Sequence, residues 1–147
     1  QWYINTNQTY TYDASAGTVT ATYGTATAKA HADRNATDKD GVELDPVIVI
    51  EGLKTKLIRT VKAQAEGLLN QTDWYITRKA EKNTAVPSAI TTWRDGIRTK
   101  QAAMETSITN ASNTPALETL YTYVNTADEG EPVVMARPLG EFPELGS

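Results

Sequence analysis

Large apolar side chains are the scarce material of this chain. Leu, Ile, Val and Phe together fill 27 of 147 positions, against 42 for Thr and Ala. That share sits just under the ~20% at which disorder is suspected. Disorder also needs a high net charge, and 14 basic against 18 acidic side chains leave only −4. The expectation is a folded chain with a thin core that partner surfaces complete. The length suits one domain or a small two-part chain. No apolar run approaches the ~20 residues of a membrane span, so a soluble chain is expected. With no cysteine and one histidine, disulfides, thiolate metal sites and cysteine nucleophiles are excluded together. Gln1 in place of Met implies processing or a longer parent chain, and the neutral, polar opening lacks the apolar stretch of a signal peptide.

Residues 1–33 read as β structure. Tyr10 and Tyr12 alternate with Thr9 and Thr11, Asp13 to Gly17 supply turn chemistry, and Val19, Ala21 and Tyr23 alternate with threonines. After Gly24 the phase shifts, and Ala26, Ala28, Ala30 and Ala32 share one face, as a β-bulge at the glycine would produce. Strands this poor in large apolar residues are expected to add to a sheet made elsewhere, since a lone hairpin is marginal in water. Residues 34–45 form a polar connector with a turn at Asp38-Lys39-Asp40-Gly41. This turn fails the calcium-loop template, which would put Ala36 and Val47 where carboxylates are required.

Helical periodicity begins with Asp45-Pro46 as a start signal and runs through Ile50, Leu53, Leu57, Ile58, Val61, Ala65, Leu68 and Leu69. Alternatively, Val47 to Ile50 form a short buried strand and the helix begins near Leu53. A second helix is expected from Thr72-Asp73 to the break at Asn83–Pro87. A third starts near Pro87-Ser88, with Ile90, Trp93, Ile97, Met104 and Ile108 on one side. A short fourth follows Thr114-Pro115. Residues 126–147, with Pro132, Pro138 and Pro143, carry no helical period and read as an extended arm. The fold class is therefore α+β: a Thr-rich β segment and connector (1–45), a module of three to four helices (46–125) and an arm (126–147).

Chemistry is hard to find. His31-x-Asp33 offers two metal ligands, too few for a closed site. No nucleophile elbow, Gly-rich phosphate loop or nucleic-acid motif appears. No catalytic residue, metal or cofactor is expected. Charge is unevenly placed, with ten basic and five acidic side chains in 51–100 and one basic and five acidic in 126–147. Either both faces are merely solvated, or the acidic arm lies over a basic helical surface of its own chain or a neighbour. Phe142 would anchor such an arm. Trp93 belongs with Ile90 and Ile97 in the core. Trp74 and Tyr75 are adjacent on a helix, cannot both face one core, and one of them is an interface anchor.

Leu68-Leu69, Thr72-Asp73-Trp74-Tyr75-Ile76, Arg78-Lys79 with Glu81, Val86-Pro87, Trp93-Arg94 and Ile97-Arg98 follow one another here. In that order they resemble the helical module of small tailed-bacteriophage virion structural proteins from phages of cyanobacteria and other aquatic bacteria. The run is also similar to a segment of tail assembly chaperones and tail-fibre assembly proteins, and Pro138 to Pro143 look like the short ending of the same group. The likeness covers residues 66–145, leaves residues 1–45 untouched, and departs at Trp93, where many relatives carry Tyr. It implies a non-enzymatic structural component of a tailed-phage virion, in the tail, baseplate, neck or fibre region, assembled in the host bacterial cytoplasm. Its partners would be other virion proteins in repeated copies, with no nucleic acid, membrane or small-molecule substrate. Trp74, Tyr75, Arg94, Arg98 and Phe142 would carry the docking. The alternatives are an assembly chaperone that departs, a capsid decoration protein and, from the enzyme class, a small carboxylate hydrolase.

Overall fold

Two long helices carry most of the core. In the computed structural model, which describes residues 1–5 and 7–146, α1 spans Leu53–Asn70 and α3 spans Ser88–Asn110. They run antiparallel, with the Lys54 ammonium on the Thr109 carbonyl at one end and the Arg94 guanidinium on the Leu69 carbonyl at the other. Val61 and Ala65 of α1 meet Met104, Ile108, Trp93 and Ile97 of α3, the stripe expected from helical spacing. Between them in the chain comes α2 (Asp73–Lys82), which begins after Thr72 and ends where Asn83 turns left-handed at φ 52°. The short α4 (Thr114–Tyr121) is capped by the Asn113 side chain, which accepts from the Ala116 amide at 2.9 Å. It drives Leu117 into the same core.

The strands lie outside this body. β1 (Tyr3–Asn5) pairs with β4 (Ala26–Ala28), and β2 (Thr9–Asp13) with β3 (Thr18–Thr22), all antiparallel. Asn5 faces Ala26 and Thr9 faces Thr22, so three positions separate the ladders along each strand and the register is unchanged between them. The two ladders, together the ribbon, keep one register on either side of Gly24, so the inserted residue that a bulge there would need is not found. At the ribbon's tip the Asp13 carboxylate accepts the Ser15 and Ala16 amides, and Gly17 takes φ 66°. At its base Trp2 packs on Tyr121, the Tyr3 hydroxyl donates to Glu118, and Thr114 donates to the Lys29 carbonyl.

The chain then turns to cap α1. Ala30 and His31 carbonyls accept the Leu53 and Lys54 amides, and the Asp33 carboxylate accepts the Gly52 amide at 2.7 Å and the Thr55 hydroxyl at 2.7 Å. The three amides are orphan donors of a helix N-terminus, and a carboxylate there also meets the positive end of the helix dipole. A Cβ on Gly52 would strike the Ala32 carbonyl, so the crossing requires glycine. The helix start expected at Asp45-Pro46 is therefore corrected to Leu53. The β-branched run Val47 to Ile50 prefers extended backbone, and its end pairs back as β6 (Val49–Ile50) on β5 (Arg34–Asn35). The alternative reading, a strand here with the helix beginning near Leu53, holds for both the helix start and the extended backbone and fails only on burial, because all four residues are exposed. This second hairpin spans residues 34–50, with its turn at Asp38–Gly41.

Asp33 makes this joint sensitive to acid. The Gly52 amide foremost, then the Thr55 hydroxyl, hold its carboxyl below the usual carboxylate value. A depressed folded-state pKa contributes stability that is complete above the unfolded value of ~3.9 and lost as pH falls through the folded one. Asp33→Ala is expected to lower the melting temperature at pH 7, and that difference should shrink progressively as pH falls below ~3.9, read by circular dichroism across a pH series.

A third hairpin, β7 (Val124–Asn125) with β8 (Met135–Ala136), leaves from the end of α4. After it residues 137–145 lie as a strap across α1 and α3. The Leu139 amide bonds to the Leu120 carbonyl, Leu139 is buried at 3% exposure, and the Trp93 indole donates to the Pro143 carbonyl at 2.9 Å. The arm thus has two parts. Leu139 and Phe142 dock on the chain's own helices, while Val133, Val134, Met135 and Leu145 remain exposed. The deeper of the two docked residues is Leu139.

Candidate interaction surfaces

The residues singled out in the sequence divide between the interior and the surface. Arg94 is interior. From α3 its guanidinium reaches the Leu69 carbonyl at 2.8 Å, the Thr72 hydroxyl at 2.7 Å and the Asp73 carboxylate at 2.8 Å. It locks the joint between α1 and α2, and those donors are used within the chain. Phe142 is half-buried and bridges the two core clusters. Arg98 is exposed, one turn from Arg94, and paired with Asp95 of its own helix at 3.1 Å.

Trp74 and Tyr75 do reach the surface, and together. Their rings stack at 3.7 Å between centroids, with the Arg78 guanidinium 4.8 Å from the centre of Trp74 and 5.3 Å from that of Tyr75. Neighbouring helix residues point apart at Cβ, but long aromatic side chains can lean onto a common cation one turn on. Trp74 remains 51% exposed, and α2 buries none of its side chains. Arg78 was the residue missed as the organiser, although its spacing of three and four from the two aromatics was legible. Its Nε is closed off from solvent with no hydrogen-bond acceptor.

The ribbon is the second surface. Its register sets Tyr10 opposite Ala21 and Tyr12 opposite Val19 on one face, with threonines on the other. Tyr10 is 67% and Val19 63% exposed, and every residue of β1 to β4 is exposed. Among the described residues no third strand joins either ladder.

The third is the β7–β8 hairpin. Asp128, Glu129 and Glu131 cross its tip beside Val133 and Val134, and among the described residues none of the three acids makes an ion pair. Of the two placements expected for the acidic arm, on its own chain or on a neighbour, ion pairing of these three acids with residues 54–100 of the same chain is not formed among the described residues. Below the hairpin, Arg137 pairs with Glu141 at 2.7 Å and stands near the rings of Tyr121 and Tyr123. The Glu141 acceptor raises the Tyr123 phenol above its usual pKa, and burial does the same for Tyr121.

A groove of about 730 Å³ runs between the start of α3 and the strap, lined by Ile90, Trp93, Pro143 and Leu145. Glu144 is the one titratable group among its lining residues, so it presents no acid–base pair. Asp33, half of the His31-x-Asp33 pair, has its carboxylate engaged as the cap of α1.

No family model, no curated protein and no solved structure matches this chain.

Proposed function

We propose that this chain is a structural component of a tailed-phage virion, acting in the tail, baseplate, neck or fibre region by docking to other virion proteins. The observation that carries the reading is the pair of two-stranded ladders β1–β4 and β2–β3, exposed throughout and joined by no further strand among the described residues. Autonomous proteins blunt unpaired edges with Lys, Pro, bulges or covering loops. Between Thr9 and Thr22 this ribbon has no Lys and no Pro, and its one charged side chain is Asp13 at the turn. An open, uncharged edge is suited to strand addition on a neighbouring subunit, where backbone hydrogen bonds supply affinity. Repeated neighbours in a symmetric particle would cover the tyrosine face as well. The order of motifs over residues 66–145, similar to phage virion and tail-assembly proteins, supports the same reading.

The test is mass spectrometry of purified particles of the encoding phage, followed by cryo-EM. The chain is expected in mature particles at a fixed stoichiometry, with the ribbon in contact with a neighbour. Presence in infected cells and absence from particles would identify a departing assembly chaperone instead.

A further inference from the structure

Two exposed surfaces of this chain complement each other and are not joined within it. The stripe on α2 carries Trp74, Tyr75 and Arg78 in one stack and continues through Lys79 and Lys82. The acid in its first turn, Asp73, is taken by Arg94. With Glu81 the remaining acid of α2, Arg78, Lys79 and Lys82 leave it a positive excess. The tip of the β7–β8 hairpin is the opposite: Asp128, Glu129 and Glu131 without a basic residue from 126 to 136, beside exposed Val133 and Val134. Among the described residues no hydrogen bond or ion pair joins the tip to α2, and Lys79 and Lys82 pair with no carboxylate.

We infer that the acidic hairpin of one copy docks on the aromatic–basic face of α2 in a second copy. Each surface has an apolar part and a charged part, and the signs are opposite. Trp and Tyr stacked with Arg supply the flat apolar anchor that interface hot spots use, and Val133 and Val134 are the hydrocarbon to cover it. The charges fix orientation and speed encounter. Because the two surfaces differ, the contact is heterologous. Each copy retains one free hairpin and one free α2, so the assembly closes into a ring or grows as a filament. This extends the virion reading by naming a partner surface, a second copy of the same chain.

The experiment is made on the purified full chain, so its outcome is separate from whether the chain is found in particles. Sedimentation velocity over a concentration series is expected to show self-association that weakens about tenfold or more towards 1 M salt, where the Debye length has fallen from ~10 Å to ~3 Å. Lys79→Glu with Lys82→Glu, and separately Glu129→Lys with Glu131→Lys, are each expected to weaken it at least about tenfold through like-charge contact. Mixing the two variants should restore assembly, since each then meets its complement. The hairpin variant alters only exposed loop positions, so a loss there is not a loss of fold, and circular dichroism checks both. A monomeric wild type at every concentration, self-association untouched by either swap, or failure of the mixture to recover would each overturn the proposal.

Discussion

Trp93→Ala is expected to cost about 3–5 kcal/mol, the range for truncating a buried large aromatic, and to lower the melting temperature by roughly 10 °C or more. Trp93 is 7% exposed, packs with Ala65 and Ile97, and gives its indole hydrogen to the Pro143 carbonyl. Removing it opens the junction of α1 and α3 and frees the strap at one point. Against a total of ~5–15 kcal/mol for a domain, this is a large fraction. Trp74→Ala is the matched control. It deletes the same side chain from a half-exposed site on a helix with no fully buried residue, and should stay within about 0.5 kcal/mol, as surface substitutions do. Urea denaturation of both variants separates the two sites. Equal midpoints would place Trp93 outside the core.

The two tryptophans also mark where the sequence was readable. Trp93 lies in a stripe with Ile90, Ile97, Met104 and Ile108, and such a stripe arises only if one helix face is buried. All five are buried. The α+β class, the starts of α2 and α3, and the turns at Asp13–Gly17 and Asp38–Gly41 were legible for the same reason, since their signals are local. What was not legible depends on distant partners. The choice between the two starts left open for α1, Asp45-Pro46 and Leu53, is settled by Asp33, nineteen residues upstream of the Gly52 amide it binds. Arg94 looked like a surface cation because nothing in its neighbourhood shows that Leu69, Thr72 and Asp73 will surround it. The Trp74–Tyr75–Arg78 stack breaks the rule that adjacent residues diverge, by side-chain reach and not by backbone. The register of the ribbon was hidden as well. The shift of the alanines to the other face after Gly24 suggested an inserted residue, whereas the register is the same on either side and no residue is gained.

The C-terminal region should separate into a part that folds the protein and a part that does not. Deleting everything after Ala136 removes Leu139, a fully packed neighbour of Val61, Met104 and Leu117, together with Phe142 between the clusters and the acceptor for Trp93. Loss of a buried leucine alone costs ~2–5 kcal/mol. With Phe142 added, the deletion approaches the whole stability of a small domain, so this truncation is expected to be unfolded or to bind hydrophobic dye strongly at 25 °C. Replacing residues 127–133 by Asn-Gly is the opposite case. Thr126 and Val134 already pair across the ladder, and Asn-Gly suits a tight two-residue turn between such strands. The segment removed contains Asp128, Glu129, Glu131 and Val133 and supplies nothing to the core. This variant should melt with the wild type, because the strap that follows β8 keeps its own hydrogen bond to Leu120 and its own buried leucine. If the shortened hairpin melted as low as the truncation, the tip would be part of the fold and the division of the arm at residue 136 would be wrong.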